Sequence, residues 1–398
     1  MKKEIKNILL SWLNCLLLLL LLNGCNSPVD DGGTENPSQP KGKPVLKIYL
    51  FAPDSPIVTR ASTGYVDASD AEKEIHTIDV WVFEHELPNK KVSYIHLDNL
   101  SFTGQKEIAM EISNQFAELP KKPNVDIYVV ANKESCGLQE LGKETTLDEL
   151  KEAGIGTAYF GAANPVNEVS DMGLPMSGIL ENQIISGIPP VYTAMSNNVK
   201  LVRAVSKIRF ILTKSKNNPP TISNLSIKLN ANMIPNAEYL FLNGIYPDKK
   251  IRIKIVDDSD YEPEATLLPV IASPTIYSCE TPTDYAYTTE TGQNYENKIN
   301  NGLKDPDGPD EPDLTQVGVF YLRESDKKLE GTISYTVVTE TGNKDKTASF
   351  IMDTAGDFSR NHTWIVYGYF LGSGDLKLNI VDVKGWTDDS DTPKVYNW

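Results

Sequence analysis

The residue best placed for chemistry in this sequence is Cys25, whose thiol follows a short apolar segment near the N-terminus. Three lysines precede a run over residues 8–22 that is mostly Leu. That run is too short for a comfortable membrane span, which needs roughly 20 apolar residues, and it is typical of a signal peptide. Small residues directly before Cys25 resemble a lipobox, where a diacylglycerol is transferred to the thiol. We therefore predict that residues 1–24 are removed and that a covalent lipid on Cys25 anchors the chain.

Two other cysteines remain after this processing, Cys136 and Cys279. They could pair in an oxidising compartment. They lie far apart in the chain, however, so we expect two buried free thiols.

Residue patterns typical of enzymes are missing from the sequence. The four histidines form no His-x-x-x-His pair, and there is no Gly-x-Ser-x-Gly elbow or Walker loop. The acidic residues 305–313 could attract Ca²⁺, but their prolines forbid the compact loop of an EF-hand, so we favour a solvated loop. We predict that the protein is not an enzyme and holds no metal or cofactor other than the lipid.

Amino-acid composition indicates a disordered tether and argues against one class of partner. Residues 25–44 are rich in Pro and Gly and predict a disordered tether, because they cannot bury enough apolar surface to fold. The formal net charge of −16 argues against a nucleic-acid partner, since phosphates demand clustered Lys and Arg.

The rest of the chain is predicted to form short β-strands, because β-branched and aromatic runs alternate with clusters of Gly, Pro, Asn and Asp. One helix is predicted over residues 147–152, capped by Thr146 and stopped by Gly154. Residues 173–190 are rich in Gly and Pro and predict loops, followed by a boundary that separates a domain over 45–197 from one over 198–398. The predicted strands cover residues 45–51, 75–83, 125–131, 201–212, 225–229, 317–322, 331–338, 348–352, 363–370 and 376–383.

Several segments in this order resemble the fimbrillin family, the major and accessory subunits of type V pili. Besides the lipobox and the tether, the matching segments are residues 45–51, 56–62, 74–83, 127–132, 147–152, 174–178, 199–208 and 358–364, with the closing strand to Trp386. The resemblance spans nearly the whole mature chain. It implies an all-β fold with few short helices, built as two β-sandwich-like domains in tandem with the transthyretin-like architecture of fimbrillins.

The resemblance also implies how such a chain assembles. In the family, an arginine-specific protease cuts after an Arg, here between Arg60 and Ala61, and the first strand leaves with the anchor. Leu46, Ile48 and Leu50 are then the side chains of the displaced strand. The groove left behind accepts an extended segment of another fimbrial subunit by strand addition. This implies an outer-membrane lipoprotein at the cell surface that becomes part of a fimbrium, with host or bacterial surface ligands as further partners.

The C-terminal tail departs from the family. Only Val395, Tyr396 and Trp398 are bulky apolar residues in the candidate donor segment, and Pro393 removes a backbone donor. The tail therefore leaves open whether the chain is a stalk subunit, an adhesive tip or accessory subunit, or a basal anchor. The alternative is a glycan-binding lipoprotein of the cell surface that does not polymerise, with Tyr285, Tyr287 and Tyr295 as sugar platforms.

Overall fold

The computed structural model describes residues 43–52, 70–102, 104–155, 169, 171–241, 257–279, 316–352, 360, 363–383 and 394–397. Strands dominate these residues, and the helices are short. The predicted all-β class is therefore confirmed. The helices are α1 (Asp70–Lys73), α2 (Asn114–Ala117) and α3 (Leu147–Glu152), with 3₁₀ turns at Lys133–Cys136 and Asp258–Asp260.

The first sandwich consists of two sheets that enclose one hydrophobic core. One sheet has the order β4-β1-β9-β8, and the other has the order β10-β7-β5-β2-β3. Alternating aliphatic side chains of both sheets meet in the core, which is why each strand keeps its register. The strands are β1 (Val45–Phe51), β2 (Ile78–Glu84), β3 (Lys91–Leu97), β4 (Gln105–Glu111), β5 (Val125–Ala131), β7 (Met176–Gln183), β8 (Ile185–Ile188), β9 (Val191–Lys200) and β10 (Val202–Arg203).

The second sandwich has its own core between two further sheets. One runs β15-β11-β19-β20-β21, with β16 also paired to β11, and the other runs β14-β12-β17-β18. The strands are β11 (Ser206–Ser215), β12 (Thr221–Leu229), β14 (Ala265–Ile271), β15 (Tyr277–Cys279), β16 (Gln316–Leu322), β17 (Leu329–Thr339), β18 (Gly342–Met352), β19 (Thr363–Phe370), β20 (Leu376–Val383) and β21 (Lys394–Asn397); a small separate sheet pairs β6 (Gly154–Ile155) with β13 (Glu238–Tyr239).

The prediction that residues 173–190 form loops was wrong. Residues 176–200 form strands β7, β8 and β9, and β9 runs through the predicted boundary to Lys200. By strand pairing, the change of sheet falls between Arg203 and Ser206. Weak apolar alternation hid these strands, because β8 and β9 carry Ser, Thr, Asn and Gly at many positions.

Helix α3 begins as predicted. The side chain of Thr146 accepts a hydrogen bond from the backbone of Glu149 at 3.2 Å, and the Glu149 carboxylate accepts one from the backbone N–H of Thr146 at 2.8 Å. This reciprocal capping satisfies donors that a helix start otherwise leaves unpaired. The helix ends at Glu152, and Gly154 belongs to strand β6 instead of acting as the stop. Among the described helices, none is both long and apolar enough to span a membrane.

Candidate functional site

Strand β1 lies inside its sheet and is paired on both sides. It runs antiparallel to β4 over seven residue pairs, from Val45 opposite Glu111 to Phe51 opposite Gln105. Its other side runs parallel to β9, with an irregularity after Lys47. Removing β1 would therefore leave unpaired backbone groups on two neighbouring strands at once.

The inward side chains of β1 fill the core of the first sandwich. Leu46, Ile48 and Leu50 are only 1%, 0% and 0% exposed. They alternate with the outward residues Lys47 and Tyr49, as the period of a strand requires. The three residues predicted to belong to the displaced strand thus share one buried face.

The outward side chains of β1 converge on one carboxylate of β4. Lys47 Nζ lies 2.6 Å from Glu107 Oε1, and Tyr49 donates its hydroxyl proton to Glu107 Oε2 at 2.8 Å. The hydrogen bonds from Lys47 and then from Tyr49 lower the pKa of Glu107 below its usual value. The same bond with Glu107 raises the pKa of Lys47. The cluster ties β1 to β4 on the solvent side.

The chain leaves β1 toward residues 53–69, which lie outside the described residues. Arg60 and Ala61 fall in that segment, and Cys25 also lies outside the described residues, as do Tyr285, Tyr287 and Tyr295 and the acidic residues 305–313. Proteolysis at Arg60 and lipidation of Cys25 therefore stay predictions. The described end of β1 is held by a bond from Ala52 N to Gly104 O at 2.8 Å.

Helix α1, the first described element after residues 53–69, is held by a buried carboxylate that the sequence analysis did not identify. Glu72 of α1 is fully buried, 2.7 Å from Lys207 Nζ, and accepts the hydroxyl proton of Tyr321 at 2.6 Å. Its backbone oxygen accepts a bond from Arg203 Nε at 3.0 Å. Burial lowers the pKa of Lys207, and the charge of Glu72 opposes that shift. Nothing in the local sequence distinguishes Glu72 from its acidic neighbours.

The C-terminal tail pairs within its own chain. Strand β21 runs antiparallel to β20 over four residue pairs, from Asn397 opposite Asn379 to Lys394 opposite Asp382. Val395 and Tyr396 lie in this strand, whereas Trp398 lies outside the described residues. The candidate donor segment is thus far from β1 in the sheet order and occupies the edge of a different sheet.

One group of possible metal ligands occurs among the described residues, formed by Asp79, His96 and Glu134. Asp79 Oδ1 already accepts bonds from Tyr94 at 2.6 Å and from Lys133 at 2.9 Å. The Lys133 ammonium already supplies Asp79, the buried member of the group, with the positive charge that a metal ion would bring.

Cys136 is free and buried, and burial raises the pKa of its thiol, as expected for an inert cysteine. It therefore forms no disulfide. The side chain of Cys279 is not among those described.

Comparison with known proteins gave no matching family model and no matching curated protein. A solved structure of a proposed cell adhesion protein from Parabacteroides distasonis matches with a TM-score of 0.52 and 12% identity, over 88% of this chain and 100% of that chain. The tip fimbrial protein Mfa3 from Porphyromonas gingivalis matches with a TM-score of 0.43 and 13% identity, over 89% of this chain and 100% of that chain. A fimbrilin from Porphyromonas gingivalis matches with a TM-score of 0.42 and 12% identity, over 83% of this chain and 91% of that chain. The chain therefore has the fold of this Parabacteroides distasonis protein, which agrees with the all-β fold expected from its sequence.

Proposed function

We propose that this chain is a structural subunit of a type V pilus that assembles by protease-triggered strand exchange at the position of β1. The observation that carries the proposal is the place of β1, which is the first described strand of the chain and yet lies between β4 and β9. A strand at the chain's beginning can be cut free without breaking any other element. An interior position makes its loss costly.

The connectivity supports release by a single cut. Only residues 53–69 join β1 to α1, and Arg60 lies in that stretch. Cleavage there separates β1, the tether and Cys25 from everything that follows. The Glu72 contacts lie beyond the cut and would hold the new N-terminal segment against β11 and β16.

The free energy of burying the inward side chains of β1 would favour a filled groove over an empty one. Three buried aliphatic side chains contribute roughly 1.5–3 kcal/mol each, or about 5–9 kcal/mol together, before hydrogen bonds are counted. That is comparable to the net stability of a whole domain. A cut subunit is therefore expected to retain its own β1 until a competing strand displaces it.

The two pairings of β1 define the strand that can replace it. It must run antiparallel to β4 and parallel to β9, with aliphatic side chains at three alternating positions. The tail of this chain offers a strand of four residues that is already paired with β20. This supports a tip or accessory subunit that accepts a strand from another fimbrial subunit. The lipid would hold the uncut chain on the outer membrane, and an adhesive ligand would engage the processed one.

The test is cleavage of the purified chain by an arginine-specific protease, with an Arg60→Gln variant as the uncut control. We expect a mature N-terminus at Ala61 by mass spectrometry. The cut protein should then trap a labelled peptide of residues 43–52 in a complex that resists SDS, and a peptide of the same composition in scrambled order should not be trapped. A cut protein that treats both peptides alike would rule out strand exchange at this site.

A further inference from the structure

Large apolar side chains are exposed at one end of the first sandwich. Four of the seven exposed large hydrophobic residues among the described residues lie there. Leu87 is 88% exposed, Ile188 83%, Ile184 50% and Leu119 36%. Single exposed apolar residues are ordinary, but a cluster of them at one end marks an interaction surface.

Hydrogen bonds between loops show that these residues share one end. His85 N donates to Asn124 O at 2.8 Å, which joins the β2–β3 loop to the start of β5. Asn124 Nδ2 donates to Asn182 Oδ1 at 2.6 Å, next to the β7–β8 connection. Val45 N donates to Pro190 O at 2.8 Å, which places the start of β1 at the β8–β9 turn. We call this surface, formed by residues 85–90, 118–124 and 184–190, the entry end.

The entry end differs from the rest of the protein in chemistry. Each of its loops exposes an apolar residue followed by proline, at Leu87-Pro88, Leu119-Pro120 and Ile188-Pro189. The loops and strand ends at this end contain five Lys and five Asp or Glu, whereas the whole chain carries −16. A negatively charged surface would therefore repel the rest of the protein but not the entry end, where the charges balance. The residues counted are 43, 84–91, 111–124 and 181–191.

The tether also arrives here. The described chain begins at Lys43, whose ammonium lies 3.0 Å from Glu111 at the end of β4. The 17 residues between Cys25 and Lys43 can span at most about 60 Å when fully extended. A lipid on Cys25 would keep the start of β1, which lies at the entry end, within about 60 Å of the bilayer.

We propose that the entry end docks on the lipid surface of the membrane to which the chain is anchored, which rests on the lipoprotein part of the proposed function. Leu87, Ile184 and Ile188 would enter the boundary between headgroups and acyl chains. Exposed Lys90 and Lys121 would lie level with lipid phosphates, with their apolar stems along the loops. The uncut subunit would then be held in a fixed orientation, in which β1 begins near the membrane and runs away from it toward Phe51.

The experiment uses the acylated mature chain in vesicles of phosphatidylethanolamine and phosphatidylglycerol. In a Cys279→Ser background, an environment-sensitive dye is attached to Ile188→Cys or to Val338→Cys, an exposed position of the second sandwich. Nitroxide-bearing lipids should quench the dye at 188 several-fold more than the dye at 338. Substituting Leu87→Ser and Ile184→Ser should reduce quenching at 188 without changing the unfolding midpoint.

Each other outcome overturns the proposal. Equal quenching at both positions, with Cys25 acylated by mass spectrometry, would overturn the docking surface and leave the anchor standing. A dye response at 188 that depends on protein density and not on nitroxide would show that a second copy covers the entry end. An unmodified Cys25 with no vesicle binding would overturn the anchor, and the docking surface with it.

Discussion

At the scale of single residues, two carboxylates give this protein a pH dependence that can be measured. Glu107 faces solvent and binds the outward side of β1. Glu238 of β13 is fully buried, and its Oε2 accepts the backbone N–H of Glu324 at 2.7 Å and lies 4.0 Å from Arg360. Their pKa values shift in opposite directions because one is hydrogen-bonded in water and the other is desolvated.

Glu107→Gln should loosen β1 at neutral pH. The pKa of Glu107 is lowered in the folded state, so its contribution is present above the unfolded value of about 4.3 and is lost as pH falls through the folded value. The effect should stay below about 1 kcal/mol, because the pair is partly exposed. Hydrogen exchange of the β1 amides measures it. The control Glu264→Gln removes a similar exposed pair with Lys228 and should leave β1 unchanged.

Glu238→Gln should make stability less sensitive to alkaline pH. Burial raises the pKa of Glu238 to about 8, so the folded state binds a proton that the unfolded state releases above about 4.3. Wild-type stability therefore declines as pH rises toward 8, and a neutral Gln removes that decline. Urea unfolding at several pH values measures this. The free energy of unfolding of the variant should rise relative to that of the wild type from pH 5 to pH 8. Parallel profiles, or the same relative rise for exposed Glu340→Gln, would refute this.

At the scale of elements, β1 and β21 differ in how firmly they are held. β1 has neighbours on both sides and three side chains in the core, whereas β21 pairs along one edge over four residues. Release of β1 breaks hydrogen bonds to two neighbouring strands, whereas release of β21 breaks its pairing with β20.

Ile48→Ala should speed the release of cut β1. The side chain is fully buried, and its truncation leaves a cavity that costs about 2–5 kcal/mol. The rate at which the cleaved β1 peptide exchanges with labelled peptide measures the effect. Ile333→Ala removes an equally buried side chain from the core of the second sandwich and should not alter that rate. Equal acceleration by both variants would mean that β1 release follows global unfolding.

Deleting residues 394–398 should leave strand acceptance unchanged. The tail pairs with β20 in a different sheet from β1, so its loss does not touch the groove. The cut, truncated protein should trap the peptide of residues 43–52 as well as the full chain does. The cut full chain alone should form no ladder of SDS-resistant oligomers; a ladder that disappears on truncation would show that the tail is a donor.

At the scale of the whole molecule, Glu72 joins the two sandwiches. It lies between the end of the predicted cleavage loop and strand β2, yet its side chain contacts Lys207 of β11 and Tyr321 of β16. The described residues, from Lys43 onward, belong to one compact unit, which agrees with such a junction. Processing at Arg60 would leave this junction intact.

Glu72→Ala should destabilise the molecule by roughly 3–5 kcal/mol, because it leaves the buried Lys207 ammonium without this carboxylate. Chemical unfolding of the intact protein measures the loss. The matched control is Glu74→Ala, two residues away, because the Glu74 side chain is 39% exposed. Similar midpoints for the two variants would show that the junction does not depend on Glu72.

The sequence alone determined the β class, the α3 cap and the alternation of Leu46, Ile48 and Leu50. These depend on neighbours within a few residues, where side-chain period and capping chemistry act. It missed β4 and β9, the two strands that hold β1, because β4 is charged along its outer face and β9 is polar at many positions. Long-range contacts place β1 inside its sheet, bring Glu72 to the second sandwich and gather three Pro-flanked loops at the entry end. Each depends on contacts between residues far apart in the chain, which no local pattern records.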